Sequence, residues 1–188
     1  MDATDALGAA LIARARNAVA GELGFAQVSE PDHPALSAPG ATFVTLFTHG
    51  ALHGCIGSLT ATRTLAADVR ANAVAAAFKD PRFGPLSAID FRATHFEISL
   101  LGPATPLPAN TEAEAIAALV PHRDGVTLSW HDSRATLLPQ VWTALADPRD
   151  FLRALKRKAG LAADFWAHDL RLERYPVTLF HDTSEIVA

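Results

Sequence analysis

The chain has few of the residues on which several classes of protein depend. It contains a single cysteine, Cys55, among 188 residues, so it can form no intrachain disulfide and cannot by itself hold an iron–sulfur cluster, which needs several cysteines. It lacks a run of about 18 or more apolar residues, so we expect no membrane-spanning helix. It also lacks an excess of basic residues, with a formal net charge of −4, so we expect no nonspecific binding to nucleic acid.

The first residues do not have the pattern of a secretory signal peptide. The segment Met1-Asp2-Ala3-Thr4-Asp5 is acidic where a signal peptide would be basic, and Arg14 and Arg16 interrupt the apolar residues that follow. Together with the single cysteine, this pattern predicts a cytoplasmic protein.

The composition is typical of a well-filled globular protein. Apolar residues make up 49% of the chain and charged residues 19%, which argues against disorder. Two independent domains would each be small at this length, so we predict one domain over residues 5–183.

The hydrophobic patterns predict helices and strands in mixed order. The predicted helices cover residues 5–23, 64–79, 112–119 and 149–159, with a short helical segment at 164–166. The predicted strands cover residues 41–48, 52–59, 94–101, 125–130, 135–138 and 170–180, the last broken by Pro176 or confined by it to a sheet edge. Because regular alternation of strand and helix is missing, the order predicts an α+β fold with a mostly antiparallel sheet and flanking helices.

Three stretches of the chain together resemble the AMMECR1 family. They are Leu52-His53-Gly54-Cys55-Ile56-Gly57-Ser58-Leu59, the segment from Asn72-Ala73 to Asp80-Pro81-Arg82-Phe83, and Leu137-Leu138-Pro139-Gln140-Val141 with Lys158-Ala159-Gly160-Leu161. The resemblance runs from the first helix to Phe180. The hexapeptide around Cys55 is its most specific part.

The resemblance implies an architecture and a set of partners. The family fold would be two lobes in one domain, with the cysteine motif near a cleft. The bacterial branch is similar to protein A of the AmmeMemoRadiSam system, which implies a Memo-like protein and a radical SAM enzyme as partners. In the family motif an arginine usually stands at the position of His53, and histidine lacks the planar donor fork of arginine.

The residues around Cys55 suggest thiol chemistry. If residues 52–57 are extended, His53 and Cys55 point to the same face with Cβ atoms about 6–7 Å apart. Cys55 would then be a nucleophile or redox-active thiol, and His53 its base or charge partner. Gly54 and Gly57 would leave space for a ligand. A cation would raise the thiolate fraction, and the candidates to supply it are Arg63, Arg82 and Lys158.

Four further residues are candidates for binding a small-molecule ligand, each with a structural alternative. Arg82 and Lys158 would bind an anion, although Arg82 can instead cap the preceding helix. Glu97 lies on the polar face of a predicted strand, where it either faces solvent or points into the cleft as a base or an arginine partner. Gln140 offers an amide to a ligand or caps a loop.

Other interpretations remain open at this point. Cys55 can be a small buried hydrophobic residue without reactivity, and the motif can be a noncatalytic recognition surface for a partner protein or a ligand. His49, His53 and Cys55 do not have the spacing of a metal site on a hairpin, so we predict no metal site and no cofactor. The basic run Lys156-Arg157-Lys158 is the one feature in favour of RNA or nucleotide binding, and such runs are usually solvated.

Overall fold

A computed structural model of the chain describes residues 3–182; the predicted domain end at Thr183 lies outside them. The helices are α1 (Ala3–Glu22), α2 (Leu65–Phe78), α3 (Glu112–Ala118) and α4 (Pro148–Lys158). The strands are β1 (Pro39–Gly40), β2 (Thr42–Thr48), β3 (Ala51–Gly57), β4 (Arg63–Thr64), β5 (Thr94–Leu101), β6 (Thr105–Pro106), β7 (Gly125–Trp130), β8 (Ser133–Leu137), β9 (Arg171–Tyr175) and β10 (Val177–His181). Short 3₁₀ helices lie at Pro34–Ser37, Asp90–Ala93 and Pro139–Thr143.

The chain divides into two compact units. Unit 1 comprises Met1–Leu101 and Thr178–Ala188, and unit 2 comprises Gly102–Val177. The β2–β3, β2–β5, β7–β8 and β7–β9 pairs are antiparallel, so the predicted α+β class is confirmed. The prediction of a single domain over residues 5–183 stays a prediction.

Unit 1 is a four-stranded sheet with helices packed on one face. The strand order is β10-β5-β2-β3, so β3 forms one edge. Alternate residues of β2 and β5 form a buried cluster with apolar residues of α1 and α2, as the period of two in a half-buried strand requires. The members of that face are Val44, Leu46, Phe96 and Ile98. The intervening residues of these strands therefore form the other face of the sheet.

Unit 2 has its own sheet and core. The strand order is β6-β9-β7-β8, and α4 packs on β7 and β8. Trp142 is fully buried and stacks on Phe151 with ring centroids 3.8 Å apart, so this pair lies at the centre of the unit 2 core. Asp147 caps α4 through its side chain, and Gly160 has φ +78° just after the helix. Proline at the first helical position and glycine just past the last are typical of helix ends.

Two predictions near the end of the chain have different outcomes. The predicted break at Pro176 is confirmed, because β9 and β10 on either side of it belong to different sheets. The predicted helical segment at 164–166 is wrong, because Ala163 and Asp164 form a turn. The Ala163 carbonyl accepts a hydrogen bond from Lys156 at 3.2 Å, which ties this turn to α4.

Candidate functional site

A β-bulge lies in the middle of the cysteine motif. Leu46 of β2 pairs with Gly54 of β3, but the next residue, Phe47, pairs with Leu52. His53 is therefore an extra residue on β3 with no partner of its own on β2. A bulge of this kind shifts the alternation of side chains along the strand that carries it.

The bulge separates His53 from Cys55. Leu46 faces the helices, and His53, the residue inserted opposite it, lies on the same face. The His53 ring stacks on the Phe83 ring with centroids 6.1 Å apart. Cys55 pairs with Thr45 and so lies on the opposite face. The expectation that His53 and Cys55 share a face is wrong. Among residues 3–182, His53 Nε2 is a buried nitrogen without a hydrogen-bond partner.

The two glycines of the motif leave room for the chain itself. A Cβ added at Gly54 would lie 2.0 Å from the carbonyl oxygen of Ala76 in α2, and one added at Gly57 would lie 2.2 Å from the Phe43 ring. Both glycines therefore permit close packing inside unit 1. The expectation that they hold space open for a ligand is wrong, because α2 and Phe43 fill that space.

An aspartate and an arginine cover the open edge of β3 at Cys55. The Cys55 backbone N–H donates to Asp80 Oδ2 at 2.9 Å, and Arg82 donates to both carboxylate oxygens at 2.9 and 2.6 Å. Arg82 Nη2 also lies 3.5 Å from the Cys55 carbonyl oxygen. The Asp80–Arg82 pair thus bonds to an edge that has no neighbouring strand, a common way to protect it. These hydrogen bonds of Arg82 go to Asp80 and Cys55. They do not go to the last carbonyls of α2, which was the alternative role considered for Arg82.

The contacts between Asp80 and Arg82 favour the ionised form of each side chain. The hydrogen bonds from Arg82 hold the pKa of Asp80 well below its usual range, against burial, and the N–H groups of Cys55 and Arg82 act in the same direction. The pKa of Arg82 is raised, first by its hydrogen bond to Asp80, against burial; the charges of Asp80 and of Cys55 add to it. Arg82 is therefore a cation that Asp80 holds beside the Cys55 backbone.

Polar side chains cross the helix-free face of the sheet in one row. Cys55 pairs with Thr45, and Thr45 pairs with Glu97; Glu97 Oε2 lies 3.5 Å from His181 Nδ1 on β10. We call Cys55, Thr45, Glu97 and His181 the polar row. Thr45 Oγ1 donates to Cys55 Sγ at 3.2 Å. Because neighbouring strands are about 4.8 Å apart, Cys55 and Glu97 lie roughly 10 Å apart across the sheet.

Cys55 and Glu97 are both half-buried within the polar row. The Cys55 thiol is free and has intermediate exposure, so it is not sealed in the core. The Glu97 side chain is 20% exposed. Burial raises the pKa of Glu97, and the charge of His181 lowers it by less. Glu97 thus points neither fully to solvent nor into the core.

A buried network ties the end of the motif to α2. Asp68 accepts hydrogen bonds from the backbone and hydroxyl of Thr42, both at 2.8 Å, from Ser58 at 2.6 Å and from Arg63 at 2.8 Å. Asn72 also donates to Asp68 at 2.9 Å. Arg63 is therefore engaged with Asp68, which gives it a structural role.

Gln140 and Lys158 belong to unit 2. Gln140 is exposed on the 3₁₀ helix Pro139–Thr143, and Lys158 is exposed in the last turn of α4. The neighbouring Lys156 is fully buried and bonds to Glu112 at 2.8 Å. The basic run that favoured RNA binding is therefore not a continuous exposed patch.

Metal ligation and membrane insertion can be addressed for the part of the chain that the structure describes. Over residues 3–182 no group of three or more His, Cys, Asp or Glu side chains is arranged to hold a metal ion. His49 Nε2 instead lies 3.2 Å from Asp90. No helix in the same range is long and apolar enough to cross a bilayer.

Sequence reasoning missed three residues of this site. The positions of Thr45 and His181 beside Cys55 and Glu97 depend on strand register, which local sequence patterns do not reveal. Asp80 had a visible signal, because it is an acid directly before Pro81-Arg82 in a stretch that resembles the family, but only the arginine was considered.

The fold and site define an α+β protein with a bulged edge strand that carries a half-buried thiol. A family model described as AMMECR1 matches residues 12–180. The chain belongs to the AMMECR1 family, as the motifs predicted.

Relatives are similar over most of the chain. A protein of Thermofilum pendens is 33% identical over 196 residues, which cover 94% of this chain and 90% of that protein. A protein of Thermotoga maritima is 33% identical over 159 residues, covering 81% and 86%. The crystal structure of an uncharacterized protein from Pyrococcus horikoshii is similar with a TM-score of 0.84 and 28% identity, covering 94% of this chain and 91% of that one.

Proposed function

We propose that the chain is a thiol-dependent catalyst in which Cys55 attacks an electrophilic atom of a small molecule. The observation that carries the proposal is the setting of the sulfur, which is half-buried rather than sealed and accepts a hydrogen bond from Thr45 at 3.2 Å. A hydroxyl that donates to sulfur stabilises the thiolate, which is the nucleophilic form.

The chemistry that fits this setting is displacement at a thioester or a disulfide. The Cys55 thiolate would form a bond to the carbonyl carbon or to one sulfur, and the other thiolate would leave and take a proton. Arg82 supplies a positive charge near this residue, since its Nη2 lies 3.5 Å from the Cys55 carbonyl oxygen. Asp80 offsets part of that positive charge, so Thr45 is the more direct stabilising group.

The geometry argues against His53 as the base. Because the bulge directs His53 toward Phe83, the proton-transfer role passes to groups on the face of Cys55. Besides Cys55 itself, Glu97 and His181 are the titratable residues of the polar row, and a substrate about 10 Å long would reach both Cys55 and Glu97.

Intact-mass spectrometry tests this proposal. The protein would be incubated with a panel of acyl thioesters and low-molecular-weight disulfides, with Cys55→Ala as the matched control. We expect at least one substrate class to leave a covalent adduct on the wild type and none on the variant. The absence of any adduct across the panel would reject the catalytic proposal.

A recognition role is the second candidate, and exposed side chains beside the motif favour it. Leu52 is an exposed large apolar residue on β3, and the Arg82 side chain is 54% exposed. From the family we propose a Memo-like protein and a radical SAM enzyme as the partners that would contact this edge.

Co-purification with those two proteins separates the candidates. Leu52→Glu should abolish capture while Cys55→Ala leaves it intact if the motif is a recognition surface. The exposed Val28 supplies a matched control, Val28→Glu. Gly54→Trp is unsuitable for this purpose, because the new side chain would collide with α2.

A further inference from the structure

We propose a second ligand site in unit 2, separate from Cys55, that binds an oxyanion carried on a compact apolar group. It is a hollow of about 400 Å³, within the range of small-molecule sites. Arg123, Asp124 and Arg174 line its charged side, and Pro103, Tyr175 and Pro176 line its apolar side.

The walls of the hollow are held by the backbone of unit 2. The Gly102 N–H donates to the Pro176 carbonyl oxygen at 2.9 Å, which places the segment that leads to Pro103 beside Pro176. The β6–β9 pairing sets Thr105 opposite Arg174. These contacts fix the proline walls relative to the strand that carries Arg174.

A buried aspartate positions Arg123 and lies near Arg174. Asp124 is buried; one carboxylate oxygen accepts from Arg123 Nε at 2.9 Å and the other from the Val120 N–H at 3.0 Å. Its backbone carbonyl accepts from Trp142 Nε1 at 2.7 Å. Asp124 is therefore anchored from three directions and cannot easily turn away from the guanidinium groups.

The hollow retains a net positive charge and unused donors. Asp124 balances one arginine and leaves the other uncompensated. Arg174 Nη1 lies 3.8 Å from Asp124, which is too long for a hydrogen bond. The side chains of Arg123 and Arg174 are 59% and 38% exposed, so their remaining N–H groups can reach a ligand. Guanidinium forks match carboxylate and phosphate oxygens.

Tyr175 supplies an uncharged aromatic wall. Its hydroxyl bonds to Thr136 and lies 3.4 Å from the Leu137 carbonyl oxygen, so its polar end is used in the interior. Burial raises the pKa of Tyr175 to about 12, against the hydrogen bond from Thr136. The ring therefore carries no negative charge that would repel an anion, and with the prolines it favours an apolar body on the ligand.

Calorimetric titration of the full chain with phenyl phosphate at low salt tests the site. Inorganic phosphate lacks the ring and phenol lacks the anion, so both should bind more weakly than phenyl phosphate. Arg174→Gln should weaken phenyl phosphate roughly tenfold or more, the loss typical of a charged hydrogen bond. Arg171→Gln removes the same charge from an exposed position of the same strand, and its affinity should match the wild type.

Two results would overturn the site. One is equal affinity for phenyl phosphate and phenol. The other is an equal loss of affinity in the Arg171 and Arg174 variants, which would indicate an effect of net charge alone. Arg123→Gln is a second variant with the same expected loss. If it unfolds because Asp124 loses its partner, Arg174→Gln decides alone, since its contact with Asp124 is long.

Discussion

At the edge of the unit 1 sheet, the backbone N–H of Cys55 donates to a carboxylate and not to a neighbouring strand. Asp80 accepts the Cys55 N–H and is held in turn by Arg82. Phe83 also stacks on His53. The Asp80-Pro81-Arg82-Phe83 segment therefore packs along the cysteine motif and contacts it at two points.

The Asp80 contact makes a prediction about stability and pH. Asp80→Asn should lower the free energy of unfolding at neutral pH by about 1–3 kcal/mol, because a buried donor and Arg82 lose a charged acceptor. The folded pKa of Asp80 lies below its unfolded value, so this stability is present above the unfolded value, about pH 4, and is lost as the pH falls below it. Denaturant titrations of both proteins from neutral to acid pH measure the difference.

An exposed carboxylate provides the control for that titration. Asp132→Asn, in an exposed turn, should have little effect at any pH. A difference between wild type and Asp80→Asn that stayed constant from pH 4 down to about pH 2 would contradict the proposed ionised role.

Some residues could not be assigned from sequence because their partners are distant in the chain. Lys156 belongs to a basic run that is typical of a solvated face, yet Glu112, 44 residues away, pairs with it in the core. The helical pattern of α4 contains no information about that acid.

Among the strands, β5 was predicted more completely from the sequence than β3. The bounds of β5 were predicted as observed, since its alternation is uninterrupted. The existence of β3 was predicted, and its glycines, Gly54 and Gly57, are typical of a bulge or a close backbone approach. The position of the inserted residue, His53, was not predicted. An inserted residue is defined only by the pairing of β3 with β2 and by the contact of Gly54 with α2, and neither is local.

The bulged strand makes a prediction about glycine. Gly54→Ala should destabilise the protein by about 1–3 kcal/mol or more, because the added Cβ would lie 2.0 Å from a helix carbonyl that cannot move aside. Gly84→Ala is the matched control, since an added Cβ there meets nothing within 4 Å, and should change stability by no more than about 0.5 kcal/mol. Equal effects in chemical denaturation would reject the close contact between β3 and α2.

On the scale of the whole molecule, the last strand belongs to the unit in which the chain begins. β10 lies beside β5 at the edge of the unit 1 sheet, Phe180 packs against Gly8 of α1, and Arg16 pairs with Asp182 at 2.6 Å. Pro176 signalled the break before this strand, but no local pattern indicates which sheet the strand joins. The two-lobed architecture came from the family resemblance, and the cytoplasmic location stays a prediction.

This topology predicts different costs for two neighbouring residues of β10. Phe180 is buried in the unit 1 core and Leu179 is exposed. Phe180→Ala should cost about 3–5 kcal/mol, and Leu179→Ala should cost much less. Equilibrium unfolding of the two variants measures both. Similar costs would indicate that the last strand is not part of the core.

The rate at which iodoacetamide alkylates Cys55 tests whether the folded protein activates this thiol. We expect the wild-type thiol to be alkylated faster than free cysteine at neutral pH. Thr45→Val should slow the reaction, and Thr45→Ser, which keeps the hydroxyl, should retain the rate. A thiol that reacts more slowly than free cysteine, or at a rate that does not depend on the Thr45 hydroxyl, would show that Cys55 is not activated in this way.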